Sequence, residues 1–224
     1  MSDYLNKQTG QLLRDGLDRL AIFVADEQID QLISYTIELQ KWNKKVNLIA
    51  KNTSPGDVIE KHFIDSLTLL PILQKYNLAD GPLLDVGSGA GFPGLVLKIA
   101  CPSLETVLLE PRQRRVSFLN HIVRTLSVQN IRVVMDRIAD NSLLSEYTFS
   151  IITGRAVADI PTFLNMVSCR SGSQTLVVCM QGEAGKQKWE KGDQDGEFTW
   201  IGTETYTLPF SGAKRYLLLF RKST

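Results

Sequence analysis

The stretch Asp85-Val86-Gly87-Ser88-Gly89-Ala90-Gly91-Phe92-Pro93-Gly94 is the first place in this chain where residue types and spacing suggest chemistry. Glycines let a backbone turn tightly and let a ligand approach main-chain atoms. The apolar run Leu83-Leu84-Asp85-Val86 precedes the loop and Leu95 to Ala100 continues it as a helix. The loop therefore stands at the carboxyl end of a strand, where open α/β sheets bind ligands. Glu110 closes the next apolar run, 23 residues beyond Gly87. A carboxylate there can accept both hydroxyls of a ribose. Asp85, two residues before the first glycine, reads as a carboxylate that braces the loop or faces an amine. Loop and acids together point to a nucleoside-bearing cofactor.

Two registers of the loop compete. Read from Gly89, it fits a dinucleotide fingerprint and a nicotinamide oxidoreductase. That register puts Phe92-Pro93 where helix amides should meet a pyrophosphate, and proline has no N–H to give. The Asp-x-Gly-x-Gly-x-Gly register resembles the loop of S-adenosylmethionine-dependent methyltransferases, whose cofactor carries no phosphate. S-adenosyl-L-methionine is thus the favoured cofactor, with the oxidoreductase kept as an alternative.

The elements that must position these residues follow from periodicity. Leu13, Leu17, Leu20 and Val24, then Ile29, Leu32, Ile33 and Ile37, recur at the helical period. Ser54-Pro55 offers a cap and a first-turn proline for a further helix. At Asp80-Gly81-Pro82 the pattern changes to alternation. Strands are expected at 83–86, 106–110, 131–135, 149–153 and 175–180, with amphipathic helices on Val116, Leu119, Val123 and Leu126 and on Ile160, Phe163, Leu164 and Val167. Continuous apolar strands alternating with such helices make a parallel sheet covered on both faces. Phe198 to Leu208 and Tyr216 to Phe220 read as an antiparallel hairpin at a sheet edge, and 182–196 as a helix or loop. The expectation is an α/β fold with an N-terminal helical part over 1–80 and a ligand-binding domain over 81–224.

Composition bounds the function. With 224 residues, 43% hydrophobic and 22% charged, the chain is globular, and 25 basic against 24 acidic residues argue against a uniformly basic nucleic-acid sleeve. The three cysteines, Cys101, Cys169 and Cys179, read as reduced thiols of a cytosolic protein. No apolar run approaches the roughly 20 residues of a membrane helix, and the start of the chain lacks the order of a signal peptide. A cytoplasmic location is expected, with no membrane and no obligate protein partner.

At this level of detail the sequence resembles the glucose-inhibited division protein B family, the bacterial 16S ribosomal RNA guanine-N7 methyltransferases. The resemblance covers nearly the whole chain: Lys41-Trp42-Asn43-Lys44-Lys45-Val46-Asn47-Leu48, His62-Phe63-Ile64-Asp65-Ser66-Leu67, the loop from Gly87 to Gly94, and Gly154-Arg155-Ala156-Val157-Ala158. It implies a Rossmann-like methyltransferase fold with a seven-stranded, mostly parallel sheet. It further implies that Gly87 and Phe92 contact the methyl donor, with Ser88, Gly89 and Gly91 in the same loop. Glu110-Pro111-Arg112 would lie along its ribose, where relatives usually have aspartate in place of Glu110. Ile138-Ala139 match the segment that meets the adenine, with Asp140 a substitute for the family's glutamate. Arg155 matches an arginine at the edge between cofactor and substrate, and is the catalytic candidate. Gln181, where lysine is common, and Ala213, where an acidic residue is frequent, depart from the pattern. They keep open a non-catalytic RNA-binding or assembly role, beside a methyltransferase acting on protein or a small molecule.

The chemistry implied is an in-line methyl displacement that depends mainly on holding the reacting atoms in place. Guanine N7 is an unprotonated lone pair and needs no general base. Accordingly Ile152-Thr153-Gly154-Arg155-Ala156 lacks the acidic or amide residue and two prolines of amino-group methyltransferases, and no cysteine follows a proline as in enzymes using a thiolate. Lys44 and Lys45 beside Trp42, and Arg215 near the C-terminus, are candidates for holding 16S ribosomal RNA or the small ribosomal subunit by phosphate contacts. His121 reads as structural. His62 and Asp65 are spaced for a side-chain bond along one helix turn, and no metal site is expected.

Overall fold

The computed structural model describes residues 2–51, 53–138, 144–192 and 196–223. The chain opens with α1 (Ser2–Arg19) and α2 (Asp26–Asn43), whose buried stripe Ile29, Leu32, Tyr35, Thr36 and Leu39 repeats at helical spacing. Ser54 caps α3 (Pro55–Val58) by accepting from the Asp57 amide at 3.1 Å, with proline in the first turn. That helix widens into a π-helical segment, Ile59–Ile64, and continues as α4 (Asp65–Leu67) and α5 (Leu70–Lys75).

The alternating half contains β1 (Leu83–Val86), α6 (Gly94–Ala100), β2 (Thr106–Leu109), α7 (Gln113–Thr125), β3 (Ile131–Val134), β4 (Ile151–Arg155), α8 (Ile160–Val167), β5 (Leu176–Gly182), α9 (Glu183–Lys191), β6 (Phe198–Thr207) and β7 (Lys214–Lys222). They form a seven-stranded sheet in the order β3-β2-β1-β4-β5-β7-β6. β1 to β5 pair in parallel, and β7 pairs antiparallel with both β5 and β6. This is the α/β sheet with a terminal hairpin that the alternation requires. Chain order reverses between β1 and β4, so a crevice opens at their carboxyl ends.

The start of β4 differs from the sequence expectation, and the segment read as a helix or loop is a helix. β4 starts two residues later than periodicity suggests, because Ser150 donates its N–H to Pro82 O at 3.0 Å and enters the sheet through a turn. Gly154 and Arg155 consequently lie inside the strand. At Gly154 a Cβ would meet the Phe163 ring at 2.6 Å, so only glycine lets α8 pack there. Residues Glu183–Lys191 are helical, with Trp189 buried edge-on to Phe220 at 5.1 Å.

One continuous hydrophobic core joins Leu13, Leu32, Tyr35 and Phe63 of the helical layer to Leu95 and Phe118 of α6 and α7 and to Leu83, Leu108, Val178 and Leu217 of the sheet. α8 and α9 cover the opposite face through a second cluster that includes Phe163, Val167 and Trp189. Buried Glu60 ties the two parts further, accepting from the Phe210 and Ser211 amides of the hairpin loop, each at 2.7 Å.

Beneath the glycine loop Asp85 is wholly buried on β1. Its Oδ2 accepts from the Gly94 amide at 2.9 Å and so fixes the start of α6, while Oδ1 has no hydrogen-bond partner. Burial pushes its carboxyl up to about 7, opposed in part by the Gly94 amide. A carboxyl raised above its unfolded value contributes stability that is complete near pH 4 and is lost as pH rises through about 7. Asp85→Asn, whose amide keeps an acceptor for Gly94 and cannot ionise, is therefore expected to gain stability relative to wild type as pH increases. Stabilities from urea curves should separate in favour of the variant between about pH 4 and 7 and then run level, on the order of a few kcal/mol apart. Parallel curves would show that Asp85 ionises freely in the fold.

Candidate active site

A cavity of about 420 Å³ lies over the carboxyl ends of β1, β2 and β4, within the range typical of small-molecule sites. Its floor is Gly87, Ser88, Gly89 and Ala90. The Gly87 and Ser88 amides donate to Leu109 O at 2.7 and 3.1 Å, which holds the loop against the end of β2. Gly87 has φ +69°, and a Cβ there would stand 3.0 Å from Val157 Cγ2. Glycine is thus required both for the backbone conformation and for the opening between the β1 and β4 loops.

Glu110, Pro111 and Arg112 form the wall above β2. Both oxygens of buried Glu110 are already oriented by main-chain donors, Oε2 by the Gly89 amide and Oε1 by the Arg112 amide, each at 2.9 Å. Arg115 Nη1 lies 3.6 Å from Oε2. Each carboxylate oxygen has two acceptor positions, so each keeps acceptor capacity beyond its amide, with the Arg115 guanidinium beside Oε2. The longer arm of glutamate is therefore taken up by a fixed fold of the side chain.

The opposite wall is Phe92, Arg155 and His62. Phe92 packs edge-on to Phe63 at 5.3 Å and stacks with Tyr35 at 5.9 Å and with His62 at 5.0 Å, joining the loop to the helical layer. Tyr35 also donates its hydroxyl to Ala90 O. The Arg155 guanidinium lies 5.2 Å from the Phe92 centroid. It donates from Nη1 to Lys61 O at 2.8 Å and to Asp65 Oδ2 at 3.1 Å, and from Nη2 to His62 Nδ1 at 2.8 Å. The expected His62–Asp65 pair is thereby corrected: both residues turn to Arg155, because the π-helical turn presents them side by side to β4. Burial, with the charges of Arg155 and Lys61, lowers His62 to about 3 and leaves it neutral.

Other residues singled out in the sequence sit elsewhere. Asp85 lies behind the loop, and Gly91 faces Tyr35 and Leu95. Ile138 is buried in the second core cluster, while Ala139 and Asp140 fall outside the described residues. Lys44 and Lys45 are exposed just past α2. Arg215 Nε stands 3.4 Å from Asp65 Oδ1, beside the Arg155 junction. Trp42 packs against Phe118 at 5.6 Å and His121 at 5.1 Å, and His121 Nε2 meets Glu38 Oε2 at 2.7 Å, so both have structural contacts. Sequence reasoning passed over Leu48 and Ile49, which line the cavity because Asn43 Oδ1 accepts from both their amides and folds the chain back. The signal was an asparagine at a helix end.

Gln181 borders a larger cavity of about 720 Å³ between α8 and α9, which none of the loop or Glu110 residues reaches. The smaller cavity is the candidate site because the polar groups converge there. Cys179 is buried with its thiol pushed up by burial, and Cys101 and Cys169 are free thiols that do not line the cavity. Among the described residues no cluster of three His, Cys, Asp or Glu is arranged for a metal, and no helix is long and apolar enough to cross a membrane. The first two amides of α6 are spent on Asp85 and Gly91 O, so they offer nothing to a pyrophosphate.

The family model described as rRNA small subunit methyltransferase G matches residues 28–218. A ribosomal RNA small subunit methyltransferase G of Desulfotalea psychrophila is 41% identical over 196 residues, covering 86% of this chain and 88% of its own. The one of Syntrophus aciditrophicus is 33% identical over 220 residues, covering 95% and 89%. A coclaurine N-methyltransferase, solved with N-methylheliamine and SAH, shares the fold at a TM-score of 0.57 and 12% identity, over 97% of this chain and 95% of that one. A Rossmann-like methyltransferase sheet, a glycine loop braced against a strand-end glutamate and relatives matching along nearly the whole length converge on one conclusion: the chain belongs to the rRNA small subunit methyltransferase G family.

Proposed function

We propose that this protein transfers the methyl group of S-adenosyl-L-methionine to N7 of a guanine in 16S ribosomal RNA of the small ribosomal subunit, in the cytoplasm. The observation that carries the reading is the cradle in which Gly87 opens the floor and the Glu110 carboxylate is fixed by the Gly89 and Arg112 amides. The cofactor, when bound, supplies an electrophilic methyl group on a sulfonium.

The chain's own residues then bind and orient. Glu110 accepts the ribose hydroxyls, Pro111 and Arg112 flank the sugar, and Gly87, Ser88 and Gly89 offer close main-chain approach. Asp85 and Gly91 support the loop from behind. Phe92 and Arg155 bound the end of the cavity near β4, where the acceptor base must enter. N7 carries its lone pair outward without losing a proton, and a wall whose histidine stays neutral at physiological pH suits a reaction that needs no base. Arg155 is the catalytic candidate, its guanidinium held in place for the incoming base. Lys44, Lys45 and Arg215 supply positive charge for phosphates around the opening.

The test is methylation of small ribosomal subunits and of naked 16S RNA, mapped by borohydride and aniline cleavage followed by primer extension. A new guanine-specific stop that depends on enzyme and S-adenosyl-L-methionine is expected. RNA binding without any such stop would transfer the reading to an assembly role. Gly87→Val is expected to weaken S-adenosyl-L-methionine binding more than about tenfold in calorimetry, since the branched side chain meets Val157 and φ is positive. An unchanged titration would remove the loop from the site.

A further inference from the structure

Arginine can only donate hydrogen bonds. The 2.8 Å contact from Arg155 Nη2 to His62 Nδ1 therefore requires Nδ1 to be the unprotonated acceptor, and the imidazole must carry its proton on Nε2. With Nδ1 committed, Nε2–H is the ring's remaining polar group, and Arg155 is the only side-chain hydrogen-bond partner of the ring among the described residues. His62 lines the cavity on the wall opposite Glu110, with its ring stacked on Phe92 at 5.0 Å. The ring cannot swing away without breaking the Arg155 contact, and Arg155 is itself pinned by Lys61 O and Asp65. The end of the cavity away from Glu110 thus holds an oriented, neutral N–H donor beside the charged Arg155 guanidinium.

We infer that His62 selects the methyl-accepting base by donating Nε2–H to O6 of guanine, leaving N7 free beside it. This rests on the guanine-N7 reading above. On its major-groove edge guanine presents two acceptors, N7 and O6, whereas adenine presents an N6–H₂ donor where guanine has O6. A donor aimed at O6 accepts guanine and meets adenine donor to donor. The same donor aimed at N7 would occupy the lone pair that must take the methyl group, so O6 is the only position compatible with turnover. Neutrality matters as well, because an imidazolium would set a second positive charge beside a sulfonium. Burial and the charges of Arg155 and Lys61 keep the ring uncharged, and His62 neither gives nor takes a proton in the reaction.

The experiment first maps the guanine that the wild-type protein methylates, then uses small subunits reconstituted with guanine or 2-aminopurine at that position. The analogue keeps N7 and lacks O6. With guanine, His62→Ala is expected to lower kcat/KM by on the order of 10- to 100-fold, with the calorimetric affinity for S-adenosyl-L-methionine unchanged. His62→Gln, which can return an N–H to the Nε2 position, should recover most of the rate. With 2-aminopurine, wild type and His62→Ala should be equally slow, an equality that a loss of packing would not produce. Full activity of His62→Ala on guanine, or the same fold loss on both bases, overturns the inference. Absence of 7-methylguanosine with the wild-type protein removes the reaction itself, and is told apart because it appears before any variant is compared.

Discussion

The architecture of the site depends on one buried ionic junction. Asp65, on the helical layer, accepts from Arg155 of β4 through Oδ2 and from the Tyr206 hydroxyl of β6 at 3.0 Å through Oδ1, with Arg215 of β7 3.4 Å away. A nearly buried carboxylate is costly unless its lone pairs are satisfied, and here they are met by groups from three strands. Tyr206 shows the same field from the other side, its hydroxyl pushed up by burial and by the Asp65 charge. Because the acceptors sit on the helices and the donors on the sheet, the junction fixes how the two parts meet. The wall formed by Arg155, His62 and Phe92 has its shape only because that meeting is fixed.

The junction also explains the π-helical turn at Ile59–Ile64. The widened turn lets Lys61 O, His62 Nδ1 and Asp65 Oδ2 all reach one guanidinium, while Glu60 reaches the hairpin loop. Phe63 and Ile64 point into the core. The helix takes its less common, wider form where the tertiary structure supplies these polar contacts.

Much of this was legible in the sequence. The alternation of short apolar strands with amphipathic helices gives the sheet and its hairpin, and the loop with Glu110 gives one side of the cavity. These are local signals, carried by residues adjacent in the chain. The other side was not legible by spacing alone, because it is made by contacts 93 residues apart between His62 and Arg155. Helical periodicity at His62 and Asp65 suggested that they pair with each other, since it assumes a regular turn and no outside partner. The resemblance placed Arg155 near the cofactor but could not show which acceptors hold it. Leu48 and Ile49 escaped because a single asparagine side chain, and no repeating pattern, brings them to the cavity.

Glu110 adds a thermodynamic consequence. Since two backbone amides hold its carboxylate, the rotamer freedom of the side chain is lost during folding and not at association. Ordering a flexible side chain at the moment of complex formation typically costs about 0.5–1.5 kcal/mol, and that penalty is absent here. In the proposed role at the ribose, a vicinal diol would use the remaining acceptor capacity of both oxygens, whereas a deoxyribose would leave one buried oxygen underused, so the discrimination would be set by the fold.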